Sequence, residues 1–283
     1  MSMTHPAKWR ETADPFQLPF RRFRLTEVLG YPHAGNDVFH VRGVAEGRAV
    51  EAYVKTSRRP EVDFRREVAL LQSLELPHLP RLLDWDEEGF RWTVTEALPG
   101  ERLSVIVGDS GAAASLPYLT EYGEMQARWH ALPGAWPAMP HRLFMDVPGE
   151  EHARRYGCEA ARDWLLAHPP GEGQQCLCHG DFHYANVLWQ DGRLSAVLDL
   201  ELAGLGDREY DLAWAIFRRP GQRFMTTEEE VQRYLMGYCR RGSFDEGRLT
   251  YFLVNDYAWF LGVGAEDQAY TAWVRAWLEK HIG

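Results

Sequence analysis

The chain has few of the features that mark secreted and membrane proteins. Its 283 residues include only four cysteines, too few for a disulfide scaffold of this length, and we therefore expect a reducing, cytoplasmic setting. Residues 1–17 are polar, so no signal peptide is expected. No window approaches the roughly 18 uninterrupted apolar residues of a membrane span. Cys176-x-Cys178-His179 lacks the second cluster that structural zinc sites usually have, which argues against zinc.

Positive charge is also scarce. Lys and Arg total 31 against 41 Asp and Glu, a formal net charge of -10. Such a surface repels nucleic acid, so no nucleic-acid partner is expected; it serves solubility and favours a cationic small molecule. A hydrophobic content of 45% and an aromatic content of 13% predict a packed core rather than disorder.

The first hundred residues have the pattern of a small sheet with one helix. Alternating apolar and polar residues predict strands over 23–30, 37–44, 48–56, 81–86 and 90–97. Helical spacing of Phe64, Val68 and Leu71 predicts a helix over 60–76.

Beyond residues 98–101, the best candidate linker, the pattern becomes helical. Helices are predicted over 117–132 and 150–167 and at several positions between 208 and 281, with one strand over 193–200. The sequence therefore predicts an α+β, bilobal chain. Residues 1–97 form a small antiparallel N-terminal lobe with one helix, residues 98–283 form a larger, mainly helical C-terminal lobe, and a cleft is expected near their junction.

The most informative motif is His179-x-Asp181-x4-Asn186, followed by Asp199 at the end of an apolar strand. This is the spacing of a kinase catalytic loop. One carboxylate, Asp181, can accept the proton of an attacking hydroxyl. The oxygens of Asn186 and Asp199 suit Mg²⁺, which needs few protein ligands. The motif thus predicts phosphoryl transfer from a metal-bound nucleotide.

A lysine in the N-terminal lobe completes this chemistry. Lys55 ends the third predicted strand and can bridge phosphates if a carboxylate holds its ammonium. Glu67, on the predicted helix, is the natural partner. Glu61 and Asp63 lie at the helix start and are more typical of caps.

Several blocks together resemble the aminoglycoside phosphotransferase family, which is related to choline, homoserine and fructosamine kinases and shares the protein-kinase-like fold. The matching blocks are residues 30–41, 52–55, 65–67, 96–100, 179–186, 198–201 and 204–213. The resemblance implies these roles: catalytic Asp181; magnesium ligands Asn186 and Asp199; phosphate-binding pair Lys55 and Glu67; adenine-contacting backbone from Glu96 to Leu98; and loop-bracing His179 and Asp211.

Some residues depart from the protein-kinase pattern. The nucleotide loop at 30–36 lacks Gly-x-Gly-x-x-Gly, so its grip on phosphate is expected to depend on Gly35 and Asn36. Tyr53 stands where protein kinases have a small alanine, which predicts a reshaped base pocket. Glu201 either faces the acceptor or closes a turn.

The short spacing after Asp199, the predicted magnesium ligand, indicates which class of acceptor to expect. Only 11 residues separate Asp199 from Asp211, which leaves no room for the activation segment of a protein kinase. The sequence therefore predicts Mg²⁺-dependent transfer of the γ-phosphate of ATP, with GTP as the alternative, to a hydroxyl of a small molecule. A cationic amino sugar or amino alcohol is a candidate acceptor. A nucleotide-binding pseudoenzyme acting as a sensor and, less favoured, a protein Ser/Thr kinase are the alternatives. The acceptor and the oligomeric state are not readable from the sequence.

Overall fold

The computed structural model describes residues 13–32, 36–57, 59 and 62–283. The chain divides into two compact units. The first unit comprises residues 1–100 and 195–201, and the second comprises residues 101–194 and 202–283. A division at residues 97 and 98 stays a prediction.

The first unit contains a five-stranded antiparallel sheet. Its strands are β1 (Phe23–Gly30), β2 (Asp37–Ala45), β3 (Arg48–Thr56), β4 (Leu82–Trp85) and β5 (Trp92–Glu96), in the order β1-β2-β3-β5-β4. The turn between β2 and β3 places Glu46 at φ 52° and Gly47 at φ 76°. Two consecutive positive φ angles match the twist of a two-residue hairpin, so this turn sets the register of β3.

The core of this unit lies on one face of the sheet. Phe39, Val41, Ala52, Val54 and Val94 are completely buried. They alternate with half-exposed residues along β2 and β3, as the period of two requires. Because Val54 points into the core, Lys55 points to the opposite face.

One helix, α1 (Arg65–Ser73), accompanies the sheet. The sequence predicts a longer helix, over 60–76. Residues 60 and 61 lie outside the described residues, and residues 62–64 are not helical; Phe64 has φ -104° and ψ 16°. The Asp63 carboxylate accepts a 3.0 Å hydrogen bond from the Arg65 N–H at the start of the helix. Leu74 has ψ 104° and ends it. The first turn of α1 carries the buried Glu67.

The second unit is mainly helical. Its helices are α2 (Leu103–Val107), α3 (Ala112–His130), α4 (Glu150–Tyr156), α5 (Glu159–Ala167), α6 (Arg208–Ile216), α7 (Glu228–Tyr238), α8 (Glu246–Val263) and α9 (Gln268–Ile282). Short strands lie between them: β6 (Glu101–Arg102), β7 (Gln175–Cys178), β8 (Val187–Gln190), β9 (Arg193–Val197), whose last residues enter the first unit, and β10 (Gly204–Asp207). β7 pairs with β10 and β6 pairs with β8, both antiparallel.

The prediction of a single helix over 150–167 is wrong in one respect, because the structure has two helices there. Gly157 adopts the left-handed conformation, with φ 65° and ψ 48°, and caps α4. A glycine takes this conformation without the clash of a side chain, so the chain turns and α5 begins at Glu159.

Two glycines allow α3 and α7 to approach closely. A Cβ at Gly123 would lie 2.1 Å from the Tyr234 carbonyl oxygen, and one at Gly237 would lie 2.0 Å from that of Thr120. A larger residue at either position would force the helices apart. In the part of the chain that the structure describes, no helix combines the length and apolarity needed to cross a membrane.

Candidate active site

In the first unit, Lys55 lies at the centre of a group of carboxylates. Its Nζ is 3.0 Å from Glu67 Oε2, 2.7 Å from Asp199 Oδ1 and 2.9 Å from Glu201 Oε2. β3 supplies the lysine and α1 supplies Glu67, while Asp199 and Glu201 follow β9. We call Lys55, Glu67, Asp199 and Glu201 the lysine cluster.

The lysine cluster carries more negative than positive charge. Burial disfavours the charged lysine, yet Asp199, Glu67 and Glu201 hold the pKa of Lys55 well above its usual value. Burial raises the pKa of Glu67, and the Lys55 ammonium acts against that rise. Three carboxylates around one ammonium leave an unbalanced negative charge, so the cluster attracts a further cation.

The donor set fits a hard divalent ion. Carboxylate oxygens of Glu67, Asp199 and Glu201 all lie within 4.8 Å of one another. Mg²⁺ binds such oxygens and retains several waters. Asp199 has φ 66°, an uncommon conformation for a residue other than glycine. Strained residues of this kind concentrate at functional sites, where the surrounding structure holds them.

The remaining nucleotide-binding predictions fall on three segments of the first unit. Asn36 is buried, and its Nδ2 donates a 3.0 Å hydrogen bond to Glu201 Oε2, so Glu201 contacts both Lys55 and Asn36. Gly35 lies outside the described residues. Glu96 ends β5 and pairs with Arg81 at 3.3 Å, and Leu98 follows it, half-buried.

In the second unit, the loop between β7 and β8, residues 179–186, presents Asp181. Both carboxylate oxygens of Asp181 are hydrogen-bonded: Oδ1 accepts from Trp214 Nε1 at 2.7 Å and Oδ2 accepts from Asn186 Nδ2 at 3.1 Å. The Asn186 amide nitrogen also donates to the Asp181 carbonyl at 3.1 Å. Because the amide nitrogen of Asn186 faces Asp181, its amide oxygen is available to bind a cation.

Asp211, on α6, anchors the start of the 179–186 loop. Its carboxylate accepts from the Gly180 N–H at 2.7 Å and from the His179 N–H at 3.1 Å, and it lies 2.9 Å from His130 Nε2. Burial opposes ionisation of this fully buried group, but His130, His179 and the Gly180 N–H hold its pKa below the usual value. Asp211 thus holds the backbone at the start of this loop, and the bracing role of His179 and Asp211 stays a prediction.

Gly180 occupies a position that only glycine fits. Its φ is 79°, and a Cβ there would lie 2.6 Å from the Leu202 carbonyl oxygen. The 179–186 loop packs against the backbone at Leu202, which excludes the arginine that protein kinases carry at this position.

Trp214 contacts Asp181, and Arg142 and Arg219 lie against the Trp214 ring; none of the three is singled out by the sequence analysis. The guanidinium carbon of Arg142 lies 4.0 Å from the centre of the Trp214 ring, and that of Arg219 lies 4.8 Å from it. Arg142 Nη1 donates to the Gly180 carbonyl, and Arg219 Nη2 donates to the Trp214 carbonyl, each at 2.6 Å. The available signal is the helical spacing from Asp211 to Trp214, which places both on one face of α6. Nothing in the sequence marks Arg142 or Arg219.

Two further titratable groups have unusual environments. His183 Nε2 lies 3.0 Å from Gln222 Oε1, and burial, together with the Arg219 charge, lowers the pKa of His183 to about 4. Asp256, on α8, is 1% exposed, and neither of its carboxylate oxygens is hydrogen-bonded within the described chain. Burial raises the pKa of Asp256 to about 8.

A second group of possible metal ligands lies beneath the 179–186 loop. His130, Cys176 and Cys178 place their ligand atoms within 4.8 Å of one another. The two imidazole nitrogens of His130 are already engaged, with Tyr238 Oη at 2.7 Å and with Asp211. Burial raises the pKa of the Cys178 thiol well above its usual value. The group is therefore built as a support for Asp211 rather than as a set of thiolate ligands.

Several solved structures share the fold. A thermostable mutant of aminoglycoside phosphotransferase APH(4)-Ia, in a ternary complex with ADP and hygromycin B, has a TM-score of 0.59 at 17% identity, covering 91% of this chain and 92% of that one. Macrolide 2'-phosphotransferase MphH from Brachybacterium faecium has a TM-score of 0.53 at 21% identity, covering 91% and 92%. A streptomycin-ATP-APH(2")-IIa ternary complex has a TM-score of 0.58 at 16% identity, covering 90% and 92%. At these identities the likeness shows the protein-kinase-like fold.

Comparison with protein families provides the assignment. The family described as "Phosphotransferase enzyme family" matches residues 28–252, well over half of the chain. The matched span includes the lysine cluster and the 179–186 loop. The chain therefore belongs to the phosphotransferase enzyme family.

Proposed function

We propose that this protein transfers the γ-phosphate of ATP, or of GTP as the alternative, to a hydroxyl group of a small molecule. The observation that carries the proposal is the double contact of the Lys55 ammonium with Glu67 and Asp199, at 3.0 and 2.7 Å. A lysine held in this way is prepared to bind phosphate oxygens, and the adjoining carboxylate is prepared to bind Mg²⁺.

The reaction assigns one task to each predicted residue. The acceptor oxygen forms a bond to the γ-phosphorus while the bond from that phosphorus to the β–γ bridging oxygen breaks, and ADP leaves. Asp181 orients the hydroxyl and receives its proton. Asp199 and Asn186 are the residues proposed to hold Mg²⁺, which would supply neutralisation of the phosphate charge. Lys55 binds phosphate oxygens, and Glu67 keeps its ammonium in place.

A small-molecule acceptor is favoured over a protein. Between Asp199 and Asp211 the chain accommodates only a turn, β10 and the start of α6. An activation segment has no place there. The structural relatives named above include complexes with hygromycin B and with streptomycin, which are small hydroxylated molecules.

Several acidic residues that could attract a cationic acceptor have other partners. Glu201 contacts Lys55 at 2.9 Å, Asp146 lies 3.0 Å from His141 Nε2, and Glu150 lies 3.8 Å from Arg162. The proposal therefore specifies a hydroxyl of a small molecule and does not depend on a positive charge in that molecule.

The test is acceptor-stimulated ADP release by the purified protein with MgATP and with MgGTP. Hydroxyl compounds of several classes are offered, and phosphorylated products are identified by mass spectrometry. We expect turnover that requires magnesium and disappears in Asp181→Asn, while a nucleotide-dependent thermal shift shows that this variant still binds MgATP. Magnesium-dependent nucleotide binding without turnover on any acceptor would favour the sensor alternative.

A further inference from the structure

Two guanidinium groups next to Asp181 have no task in the proposed reaction. Arg142 and Arg219 both lie against the ring of Trp214, whose Nε1 donates to Asp181. Among the described residues, neither arginine forms an ion pair with a carboxylate. Arg219 donates to the Trp214 carbonyl, and Arg142 donates to the Gly180 carbonyl and also interacts with the Tyr210 hydroxyl. A guanidinium has five N–H donors, so most of theirs remain available.

Arg219 carries its positive charge in a buried position, which is unusual for an arginine. It is 7% exposed and is the only buried arginine in the described part of the chain. Burying a charged group without a contacting counter-ion is unfavourable, and proteins rarely do so without a functional reason. Asp181 and Asp256 are the carboxylates with the strongest electrostatic interaction with Arg219, yet Arg219 forms an ion pair with neither. Asp256 has both oxygens unpartnered, so the two groups do not neutralise each other by contact.

The segment that carries Arg219 lies alongside the 179–186 loop. Gln222, three residues after Arg219, contacts His183 at 3.0 Å, and Arg142 bonds the carbonyl of Gly180, the residue before Asp181. A hydroxyl that reaches Asp181 therefore carries its neighbouring substituents into the field of two guanidiniums, where a cation is repelled and an anion is attracted.

We propose that Arg142 and Arg219 form an anion-binding subsite for the acceptor, so that the natural acceptor carries a carboxylate or a phosphate group near the hydroxyl that is phosphorylated. This inference rests on the proposed function, and the phosphoryl-transfer step is the one already written. The planar fork of a guanidinium binds either anion through paired hydrogen bonds.

The test compares matched acceptors on the same carbon skeleton. Hydroxy acids such as glycerate are paired with their neutral amides and with the corresponding amino alcohols; sugar phosphates are paired with the unphosphorylated sugars. We expect kcat/KM for the anionic form to exceed that of its neutral partner by about 100-fold, the scale of lost charge-assisted hydrogen bonds. The carboxylate series and the phosphate series, compared with each other, identify which anion the subsite takes.

Variants then connect the preference to the two arginines. Arg219→Gln and Arg142→Gln should each raise the KM for the anionic acceptor at least about tenfold while the KM for MgATP stays within about twofold. Arg142→Lys, which keeps the charge, should recover part of the loss. Arg218→Gln is the matched control, because this neighbouring guanidinium lies over Trp273, at 4.8 Å, and not over Trp214. If Arg219→Gln melts below the assay temperature, the half-buried Arg142 carries the test.

The outcomes separate the two proposals. Turnover that prefers neutral or cationic acceptors and is unchanged in both arginine variants overturns the anion subsite and leaves phosphoryl transfer standing. Absence of turnover with every form, while MgATP binding persists, contradicts the proposed function and this inference with it.

Discussion

The indole N–H of Trp214 donates a 2.7 Å hydrogen bond to Asp181 Oδ1. Asp211, three residues earlier on α6, holds the backbone of the same loop through the Gly180 N–H at 2.7 Å. One face of one helix thus sets both the position of the 179–186 loop and the direction of the Asp181 carboxylate. A carboxylate fixed at one oxygen by an indole and at the other by an amide has little freedom to rotate, which suits a group that must orient a hydroxyl.

Replacing Trp214 with Phe tests this positioning role. The variant keeps an aromatic ring against the two guanidiniums but removes the N–H. We expect kcat to fall about 10–100-fold, because Asp181 loses its fixed orientation, while the KM for MgATP stays within about twofold. Steady-state kinetics measure both.

The matched control is Trp259→Phe. Trp259 Nε1 also donates one hydrogen bond, at 2.7 Å, but to the Asp146 carbonyl. This variant should retain kcat within about twofold. Equal losses in both variants, or a loss confined to thermal stability, would contradict a specific role for Trp214.

The charge balance of the lysine cluster predicts the effect of Lys55→Met. Removing the ammonium leaves Glu67 buried and without its 3.0 Å partner, beside Asp199 and Glu201. We expect kcat to fall at least about 100-fold, since phosphate loses its cation. We also expect the protein to lose roughly 3 kcal/mol of stability, the usual result of breaking a buried pair from one side.

Lys280→Met, near the end of α9, is the control for the loss of a lysine. Its kinetics and urea midpoint should match those of the parent protein. If Lys55→Met turned over as fast as the control, the proposed role of Lys55 in binding phosphate would be wrong.

Gly180 and Gly192 form a natural pair for testing the fit of the 179–186 loop. Both have positive φ, 79° and 75°, but a Cβ at Gly180 meets the Leu202 carbonyl at 2.6 Å, whereas a Cβ at Gly192 meets nothing within 4 Å. Gly192→Ala therefore reports the conformational cost alone, about 1 kcal/mol. Gly180→Ala adds the clash and should cost about 2 kcal/mol more, with most activity lost. Denaturant unfolding measures the difference, and equal costs at the two positions would show that the loop can move away from Leu202.

The sequence predicts the sheet of the first unit well for a physical reason. Alternation along β1 to β3 indicates which face is buried, and the Glu46-Gly47 turn sets the register, so the ends of these three strands are predicted within a residue. The strand predicted over 90–97 begins two residues before β5 does. The helix over 150–167 is mispredicted because apolar spacing continues through Gly157, and only the left-handed backbone there reveals the break.

The site residues also fall into two groups, those that the sequence pattern indicates and those that it does not. Lys55 and Glu67 lie in elements whose faces the pattern defines, and the structure places them in contact. Trp214 and Arg219 look from the sequence like a core residue and a surface residue. Their role depends on how α6 packs against the 179–186 loop, and no local pattern contains that information.

The buried carboxyl of Asp256 predicts an unusual dependence of stability on pH. Burial raises the pKa of Asp256 from 3.8 to about 8, so between about pH 4 and pH 8 the folded protein holds a proton that the unfolded chain has released. The contribution of this group to the free energy of unfolding therefore decreases as pH rises through that window. Asp256→Asn removes the titrating group and keeps the shape.

We therefore expect Asp256→Asn to be more stable than the parent protein at pH 8, by up to roughly 5 kcal/mol for a shift of about four pKa units, and nearly equal to it at pH 4. Urea unfolding at both pH values measures the difference, and Asp146→Asn, an exposed carboxylate paired with His141, is the control that should show no such trend. If Asp256→Asn were instead less stable at pH 8, the carboxylate would be ionised and stabilised by the charges of Arg219 and Arg142, despite the absence of direct ion pairs with them.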